Sequence, residues 1–232
     1  MTTGLPNAAA LFVHNDADKL AAAVAQRIAG LSAQAIAARG VFRLALAGGE
    51  TPRRCYERLR QLEIDWPKVQ VYFGDERCLP RGDAGRNDSM AYDALLNHVA
   101  IAPGNVHAIA AELGAREAAT AYAALLDGDA PLDLVLLGMG EDGHTASLFP
   151  GNPALESAAS AVPVFGAPKP PPERVTLGLP ALNAARHRIF LVAGTAKREA
   201  LGQLLRGTML PAARVAAAEW HLDRAAWPGA PA

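Results

Sequence analysis

The sequence predicts an α/β protein built on an open, mostly parallel sheet flanked by helices. Short apolar runs alternate with longer segments of helical spacing, which is the pattern of repeated strand and helix units. The run LDLVLL at 132–137 has a turn signal on each side, as in a strand buried on both faces. Several of these runs end in glycine and polar residues, and parallel sheets bind ligands outside the carboxyl ends of their strands.

Composition indicates one globular domain covering residues 1–232, with 51% hydrophobic and 19% charged residues. The net charge of −1 and the absence of a basic block disfavour a nucleic-acid surface. Cys55 and Cys78 lack metal-binding spacing and are typical of reduced thiols. No signal peptide is recognisable, and no apolar run approaches the ~18 residues of a membrane span. We expect a cytoplasmic protein without nucleic-acid or membrane partners, present as a monomer or weak homodimer.

Strands and helices follow in chain order from apolar spacing and capping residues. Asp16 is suited to cap a long helix after the first strand. Pro52 fits the first turn of the next helix, where its missing N–H does no harm. The predicted strands are 11–14, 41–47, Val69–Phe73, 106–109, 132–137, Arg174–Leu177, 188–193 and a last short strand at Val215. The predicted helices are 16–39, one beginning at Thr51, 89–99, 116–126, a helical turn at 180–185 and one beginning at Ala196. APKPPP at 167–172 is predicted to be a loop.

A candidate anion site follows the second strand. Gly48 and Gly49 separate this strand from the helix that begins at Thr51. Exposed backbone N–H groups at the positive end of a helix dipole favour an anion, most naturally a phosphate. Glycines also occur in ordinary turns, so this pair alone leaves both readings open.

Two further strand ends carry charged residues. Asp75 and Arg77 follow the third strand, and the planar guanidinium of Arg77 suits a phosphate or carboxylate. A surface Asp–Arg pair is the alternative for these two residues. Lys197 follows the strand at 188–193, in a helix whose N-cap is predicted to be Thr195. A cation is unfavourable in a first helical turn on its own, and a bound anion would remove that conflict.

The central strand ends in GMGEDGH, which brings Asp142 and His144 to the same edge of the sheet. Gly138, Gly140 and Gly143 also match the G-x-G-x-x-G pattern of dinucleotide binding. A helix should then follow, but prolines occupy that segment, and no acid ends the next strand. We therefore disfavour a nucleotide site. Together the strand ends describe an anion site beside an acid–base pair, as a sugar phosphate would require.

Four segments in this order resemble the 6-phosphogluconolactonases: LALAGGETPRRCYERL, VYFGDER followed by RNDSMAYDALL, LDLVLLGMGEDGHTASLFPG, and RVTLGLPALNAARHRIFLVAGTAKREAL. The resemblance covers about residues 41–205, and the GxGxDGHxASLFPG string is highly specific. It implies a Rossmann-like sheet without a nucleotide cofactor, shared with the glucosamine-6-phosphate deaminases. It also implies hydrolysis of 6-phospho-D-glucono-1,5-lactone to 6-phosphogluconate in the oxidative pentose phosphate pathway.

The resemblance implies roles for individual residues. Gly48, Gly49, Thr51, Asp75, Arg77 and Lys197 would bind the substrate and its phosphate, and His144 would be the catalytic base. Asp142 would either orient the imidazole or bind a sugar hydroxyl. A lactone is an activated ester, so a neutral histidine that deprotonates water is sufficient, and no cofactor or metal is expected. The family usually has RVTLT where this chain has RVTLG at 174–178.

Alternative chemistries receive weaker support from the sequence. A Ser147 nucleophile lacks the G-x-S-x-G pattern. A metal site at Asp75, Glu141, Asp142 and His144 lacks a recognised ligand spacing. An amino-sugar-phosphate deaminase would continue into an Asn-Glu-Pro stretch, whereas Ser-Leu-Phe-Pro follows here. A non-enzymatic sugar-phosphate sensor would need a DNA-binding domain, for which neither end of the sequence offers room.

Overall fold

A six-stranded parallel sheet forms the centre of the computed structural model, which describes residues 4–229. The strand order is β1-β9-β8-β5-β2-β3, and every neighbouring pair is parallel. The predicted α/β class and the mostly parallel sheet are therefore confirmed. Its strands are β1 (Ala8–His14), β2 (Phe42–Leu46), β3 (Val69–Phe73), β5 (Leu134–Leu137), β8 (His187–Val192) and β9 (Ala218–Asp223).

Helices cover the sheet and are terminated by recognisable residues. Asp16 caps the first helix as predicted, accepting a hydrogen bond from the backbone N–H of Lys19 at 2.7 Å. Gly40 ends that helix with a φ of 75°, a left-handed conformation that glycine adopts without penalty. The helices are α1 (Ala17–Arg39), α2 (Glu50–Leu59), α3 (Asn87–Ala94), α4 (Ala115–Gly128), α5 (Leu179–Ala184) and α6 (Arg198–Leu205).

The central strand β5 lies in the middle of the hydrophobic core. All four of its residues are buried, which matches an apolar run covered on both faces. Burial of each such side chain stabilises the fold by about 1.5–3 kcal/mol. Helix α1 packs Leu20, Val24 and Ile28 into the same core. By length and composition α1 would suffice to cross a membrane, contrary to our expectation that no segment approaches this limit.

A second, three-stranded antiparallel sheet lies beside the first. It consists of β4 (Asp75–Arg77), β7 (Arg174–Leu177) and β6 (Ala161–Val164), in the order β4-β7-β6. Gly74 joins β3 to β4, and its N–H still bonds the carbonyl of Leu46 in the main sheet. The predicted strand Arg174–Leu177 is confirmed as β7. The sequence did not indicate a strand at Asp75–Arg77, which forms β4 because it pairs antiparallel with β7.

Other predicted boundaries also need correction. The segment 106–109 forms no strand, and only Val106 bridges Val71. The helix predicted at 89–99 ends at Ala94 and continues as a short 3-10 turn. The last strand is β9, which begins after Val215 and is longer than predicted. Apolar content alone identified these segments, and it does not define where hydrogen bonding begins or ends.

Two smaller predictions concern capping and packing. Thr195 lies in a 3-10 turn that precedes α6, and its side chain makes no cap hydrogen bond, so the predicted N-cap was wrong. Gly178 stands where the resemblance led us to expect a threonine. A Cβ at Gly178 would lie 2.1 Å from the carbonyl oxygen of Ala159, so a side chain there would displace the backbone that precedes β6.

Candidate active site

One cavity of about 340 Å³ opens at the carboxyl edge of the main sheet. It gathers residues that follow β2, β3, β5 and β8, as the parallel topology requires. Six of the predicted site residues line it: Gly48, Gly49, Asp75, Arg77, His144 and Lys197. Within the described chain the lining does not include Thr51 or Asp142. Thr51 lies in the first turn of α2. Asp142 is hydrogen-bonded to His144, which does line the cavity.

The histidine of the cavity is paired with an aspartate two residues away. His144 Nδ1 donates a hydrogen bond to Asp142 Oδ1 at 2.5 Å, and the His144 backbone N–H donates to the same oxygen at 3.1 Å. This geometry fits one of the two predicted roles of Asp142, that of orienting the imidazole. With Nδ1 carrying the proton, Nε2 keeps the lone pair of the neutral ring. This nitrogen is available as a general base.

The turn 138–144 is shaped so that the imidazole fits against the backbone. A Cβ on Gly140 would lie 2.1 Å from Nδ1 of His144 and 2.6 Å from Oδ1 of Asp142. Glycine is thus required by close approach of the ring. Phe149 packs against the imidazole with a centroid separation of 4.5 Å. The ring is consequently confined by backbone, carboxylate and aromatic contacts.

Electrostatics favour the neutral form of this histidine. Burial lowers the pKa of His144 below its ordinary value, and the charges of Asp142 and Asp75 oppose that shift. Burial would raise the pKa of Asp142, but the hydrogen bonds that it accepts from the His144 backbone and side chain contribute to a net lowering, so the carboxylate stays ionised. A neutral imidazole beside an ionised carboxylate is the pairing that a general base needs at neutral pH.

The Gly48–Gly49 turn has a shape that only glycine permits. A Cβ on Gly48 would lie 1.9 Å from Oδ1 of Asn87. Gly49 has a φ of 104° and stands at the N-terminus of α2, without a side-chain cap. Tyr56 fixes the preceding residue by exchanging hydrogen bonds with both backbone groups of Ala47. Both glycines line the cavity where α2 begins, and free backbone N–H groups at a helix N-terminus favour an anion.

Asp75 is held on both carboxylate oxygens at the cavity wall. Oδ1 accepts a hydrogen bond from Asn87 Nδ2 at 3.0 Å, and Oδ2 accepts one from Ser147 Oγ at 2.5 Å. Ser147 is fully buried, and its backbone N–H donates to Thr176 Oγ1. The Ser147 hydroxyl is thus committed to Asp75 and is not placed as a nucleophile. Asp75, at 6% exposure, is fixed in position as a hydrogen-bond acceptor.

Two arginines face each other across the small sheet. Arg77 on β4 is opposite Arg174 on β7, and both line the cavity. Among the ion pairs within residues 4–229, none joins Arg77 to Asp75, so the predicted alternative of a surface pair is wrong. Arg77 donates from Nη1 to the carbonyl of Gly85 at 2.6 Å, while its buried Nε lacks a partner among the described residues. Like charges in opposite positions repel, and an anion between them would relieve the repulsion.

Lys197 lines the cavity from the turn before α6. It is half-buried, and burial lowers the pKa of its amine, whereas Glu141 raises it. The lysine occupies the cap position of α6, where the helix dipole also disfavours a cation. A bound phosphate would compensate both effects.

The family model for glucosamine-6-phosphate isomerases and 6-phosphogluconolactonases matches residues 15–227. The chain belongs to this family. A 6-phosphogluconolactonase of Mycobacterium tuberculosis is 40% identical over an alignment 230 residues long, which covers 90% of this chain and 93% of that protein. One of Streptomyces coelicolor is 39% identical over an alignment 241 positions long, which covers 93% of this chain and 92% of that protein.

Solved structures of the family share the fold. The crystal structure of 6-phosphogluconolactonase from Thermotoga maritima superposes with a TM-score of 0.86 at 27% identity, covering 92% of this chain and 99% of that one. A monomeric glucosamine-6-phosphate deaminase of the NagB superfamily gives a TM-score of 0.83 at 21% identity, over 94% and 98% of the chains. The resemblance stated from sequence and the Rossmann-like fold it implied are confirmed.

Four cavity residues of this family member were not identified from its sequence. They come from α3, from the turn after His144, from the segment before β7 and from β7 itself, and they are Asn87, Phe149, Lys169 and Arg174. The quoted RNDSMAYDALL and RVTLG segments contained Asn87 and Arg174 without assigning them roles. Across residues 4–229, no cluster of three or more His, Cys, Asp or Glu side chains is arranged to hold a metal ion.

Proposed function

We propose that this chain hydrolyses 6-phospho-D-glucono-1,5-lactone to 6-phospho-D-gluconate, the second step of the oxidative pentose phosphate pathway. The observation that carries the proposal is the pairing of His144 with Asp142 in a cavity whose other walls carry arginine and lysine. The names of the curated relatives support the same reaction. The substrate combines a lactone carbonyl with a phosphate, which is the pair of groups that such a cavity would recognise.

His144 acts as general base in this proposal. Its Nε2 takes a proton from water as the water oxygen attacks the lactone carbonyl, and Asp142 stabilises the imidazolium that forms. The tetrahedral intermediate then expels the ring oxygen, which receives the proton back from Nε2. Hydrolysis is complete without a covalent enzyme intermediate, consistent with the buried position of Ser147.

Binding of the phosphate supplies orientation. The N–H groups of the Gly48–Gly49 turn, Arg77 and Lys197 hold the phosphate at one end of the cavity. The lactone carbonyl is thereby kept near His144. Holding the substrate beside the catalytic group lowers the entropic part of the activation barrier, as in an intramolecular reaction. Asp75, which both Asn87 and Ser147 hold in place, accepts a hydrogen bond from a sugar hydroxyl.

An amino-sugar-phosphate deaminase is the second candidate because it would use the same phosphate site and a similar fold. The segment after His144 argues against it. Ala146 and Phe149 line the cavity there, and Ser147 is buried, so no carboxylate occupies the position expected for the catalytic glutamate.

The decisive experiment combines two substrates with one variant. Wild-type protein is assayed with freshly generated 6-phosphogluconolactone, corrected for spontaneous hydrolysis, and separately with glucosamine 6-phosphate for ammonia release, each with and without chelator. We expect accelerated lactone opening, no ammonia and no effect of chelator. His144→Asn should retain binding of 6-phosphogluconate and lose ~10²–10⁴-fold in kcat. Ammonia release, or near-wild-type turnover by His144→Asn, would refute the assignment.

A further inference from the structure

The proline-rich segment 167–172 is part of the cavity wall. Arg174 Nη2 donates to the carbonyl oxygens of Lys169 at 2.8 Å and Pro170 at 3.2 Å, and Nε donates to that of Pro171 at 3.2 Å. Arg174 is only 5% exposed and therefore anchors the segment from within the protein. As a result Lys169 and Pro170 border the cavity.

Lys169 forms an ion pair with the turn that carries the catalytic histidine. Its Nζ donates to Glu141 Oε1 at 2.5 Å, and Glu141 directly precedes Asp142. The two side chains are 50% and 54% exposed. The hydrogen bond and charge of Lys169, with a further contribution from Lys197, hold the pKa of Glu141 below its usual range. Glu141 is thus in contact with one lysine of the cavity wall and under the electrostatic influence of a second.

This arrangement is a weak pairing that a stronger anion can replace. Exposed ion pairs are screened by solvent and contribute little to stability. A phosphate monoester carries nearly two negative charges at neutral pH and offers three acceptor oxygens. It would therefore compete well for a lysine that only an exposed carboxylate holds.

We propose that Lys169 is a third cation for the substrate phosphate, and that Glu141 pairs with it until the substrate binds. This inference rests on the proposed function, since it assigns a further residue to the same phosphate site. Arg174 is the positioning residue, because its three hydrogen bonds place the backbone that carries Lys169. Glu141 prevents two adjacent lysines from repelling each other in the empty site and lowers the apparent affinity for substrate.

The test is a double-mutant cycle on Lys169→Met and Glu141→Gln, measured as kcat and KM for the lactone. Lys169→Met removes one charge–phosphate interaction, so it should raise KM about tenfold and change kcat less than about twofold. Lys169→Arg keeps that interaction and should therefore have a KM close to that of the wild type. Glu141→Gln should lower KM about threefold in the wild-type background and leave it unchanged when Lys169 is methionine. If Glu141 and the phosphate compete for Lys169, the effect of Glu141→Gln on KM requires Lys169. If Glu141→Gln acted only by removing a negative charge, its effect on KM would be the same with and without Lys169.

A second exposed pair supplies the control. Lys68 and Asp65 are 2.7 Å apart and 52% and 44% exposed, but they precede β3 at the opposite edge of the sheet. Lys68→Met and Asp65→Asn should leave KM unchanged. An unaltered KM in Lys169→Met, or an equal effect of Glu141→Gln with and without Lys169, would overturn the inference. Calorimetry with 6-phosphogluconate measures the same contrasts without turnover, so failure of this inference is distinguishable from absence of lactonase activity.

Discussion

Gly140→Ala tests whether the position of the imidazole controls the chemistry. The new Cβ would lie 2.1 Å from Nδ1 and 2.2 Å from Cε1 of His144, whereas ordinary contacts begin at 3.4 Å. The ring has to move by the difference, 3.4 − 2.1 = 1.3 Å. The backbone at Gly140 does not have a positive φ, so alanine introduces the steric contact without backbone strain.

A displacement of this size has a calculable consequence. Misplacing a reacting group by about 1 Å costs on the order of 10²-fold in rate, or about 2.7 kcal/mol in the activation barrier. We expect kcat for the lactone to fall by about that factor, with KM changed less than about threefold because the phosphate site is untouched. The coupled assay for 6-phosphogluconate, with the spontaneous rate subtracted, measures both constants.

The same turn offers a matched control. A Cβ on Gly138 would meet no heavy atom within 4 Å, so Gly138→Ala should reduce kcat far less than Gly140→Ala. Thermal denaturation of both variants checks that each is folded. If folded Gly140→Ala keeps a kcat within threefold of wild type, the confinement of His144 described above is not required for catalysis.

Three further variants or measurements probe the same site. The acidic limb of kcat/KM should have its midpoint below the ordinary histidine pKa of ~6.5, because burial lowers the pKa of His144 and only the neutral ring accepts a proton; a midpoint above 6.5 would contradict this. Asp142→Asn should reduce kcat by ~10²–10⁴-fold and move that limb to still lower pH, since a carboxylate that raises the histidine pKa is lost. Ser147→Ala should cost less than about tenfold in kcat, as expected for a residue that only positions Asp75; a loss of several thousandfold would reinstate a serine nucleophile.

The sequence located the site because parallel topology constrains strand ends. Gly48, His144 and Lys197 are far apart along the chain, yet each follows a strand of the same sheet. Once the strands were recognised as parallel, their carboxyl ends had to meet at one edge. Recognition of the motif around His144 then supplied the chemistry. Both steps used local patterns that a single sequence displays.

Residues whose roles depend on distant pairing were not predictable in this way. β4 is three residues long and exists because it pairs with β7, which is remote in sequence. No local pattern shows that Arg77 is opposite Arg174. The close contact of Asn87 with Gly48 likewise arises from the packing of α3 against the β2 turn. The sequence pattern around Asn87 is therefore that of an ordinary polar residue near the start of a helix, and it did not indicate a role in the site.

The two sheets contribute different parts of the proposed site. The proposed general base His144, the Gly48–Gly49 turn and Lys197 follow strands of the main sheet, while Arg77, Lys169 and Arg174 belong to the small sheet and to the connection between β6 and β7. That connection can lengthen, shorten or change composition without altering the strands that hold His144. A change in that connection would therefore alter the cations at the edge of the cavity while leaving the pair of His144 and Asp142 in place.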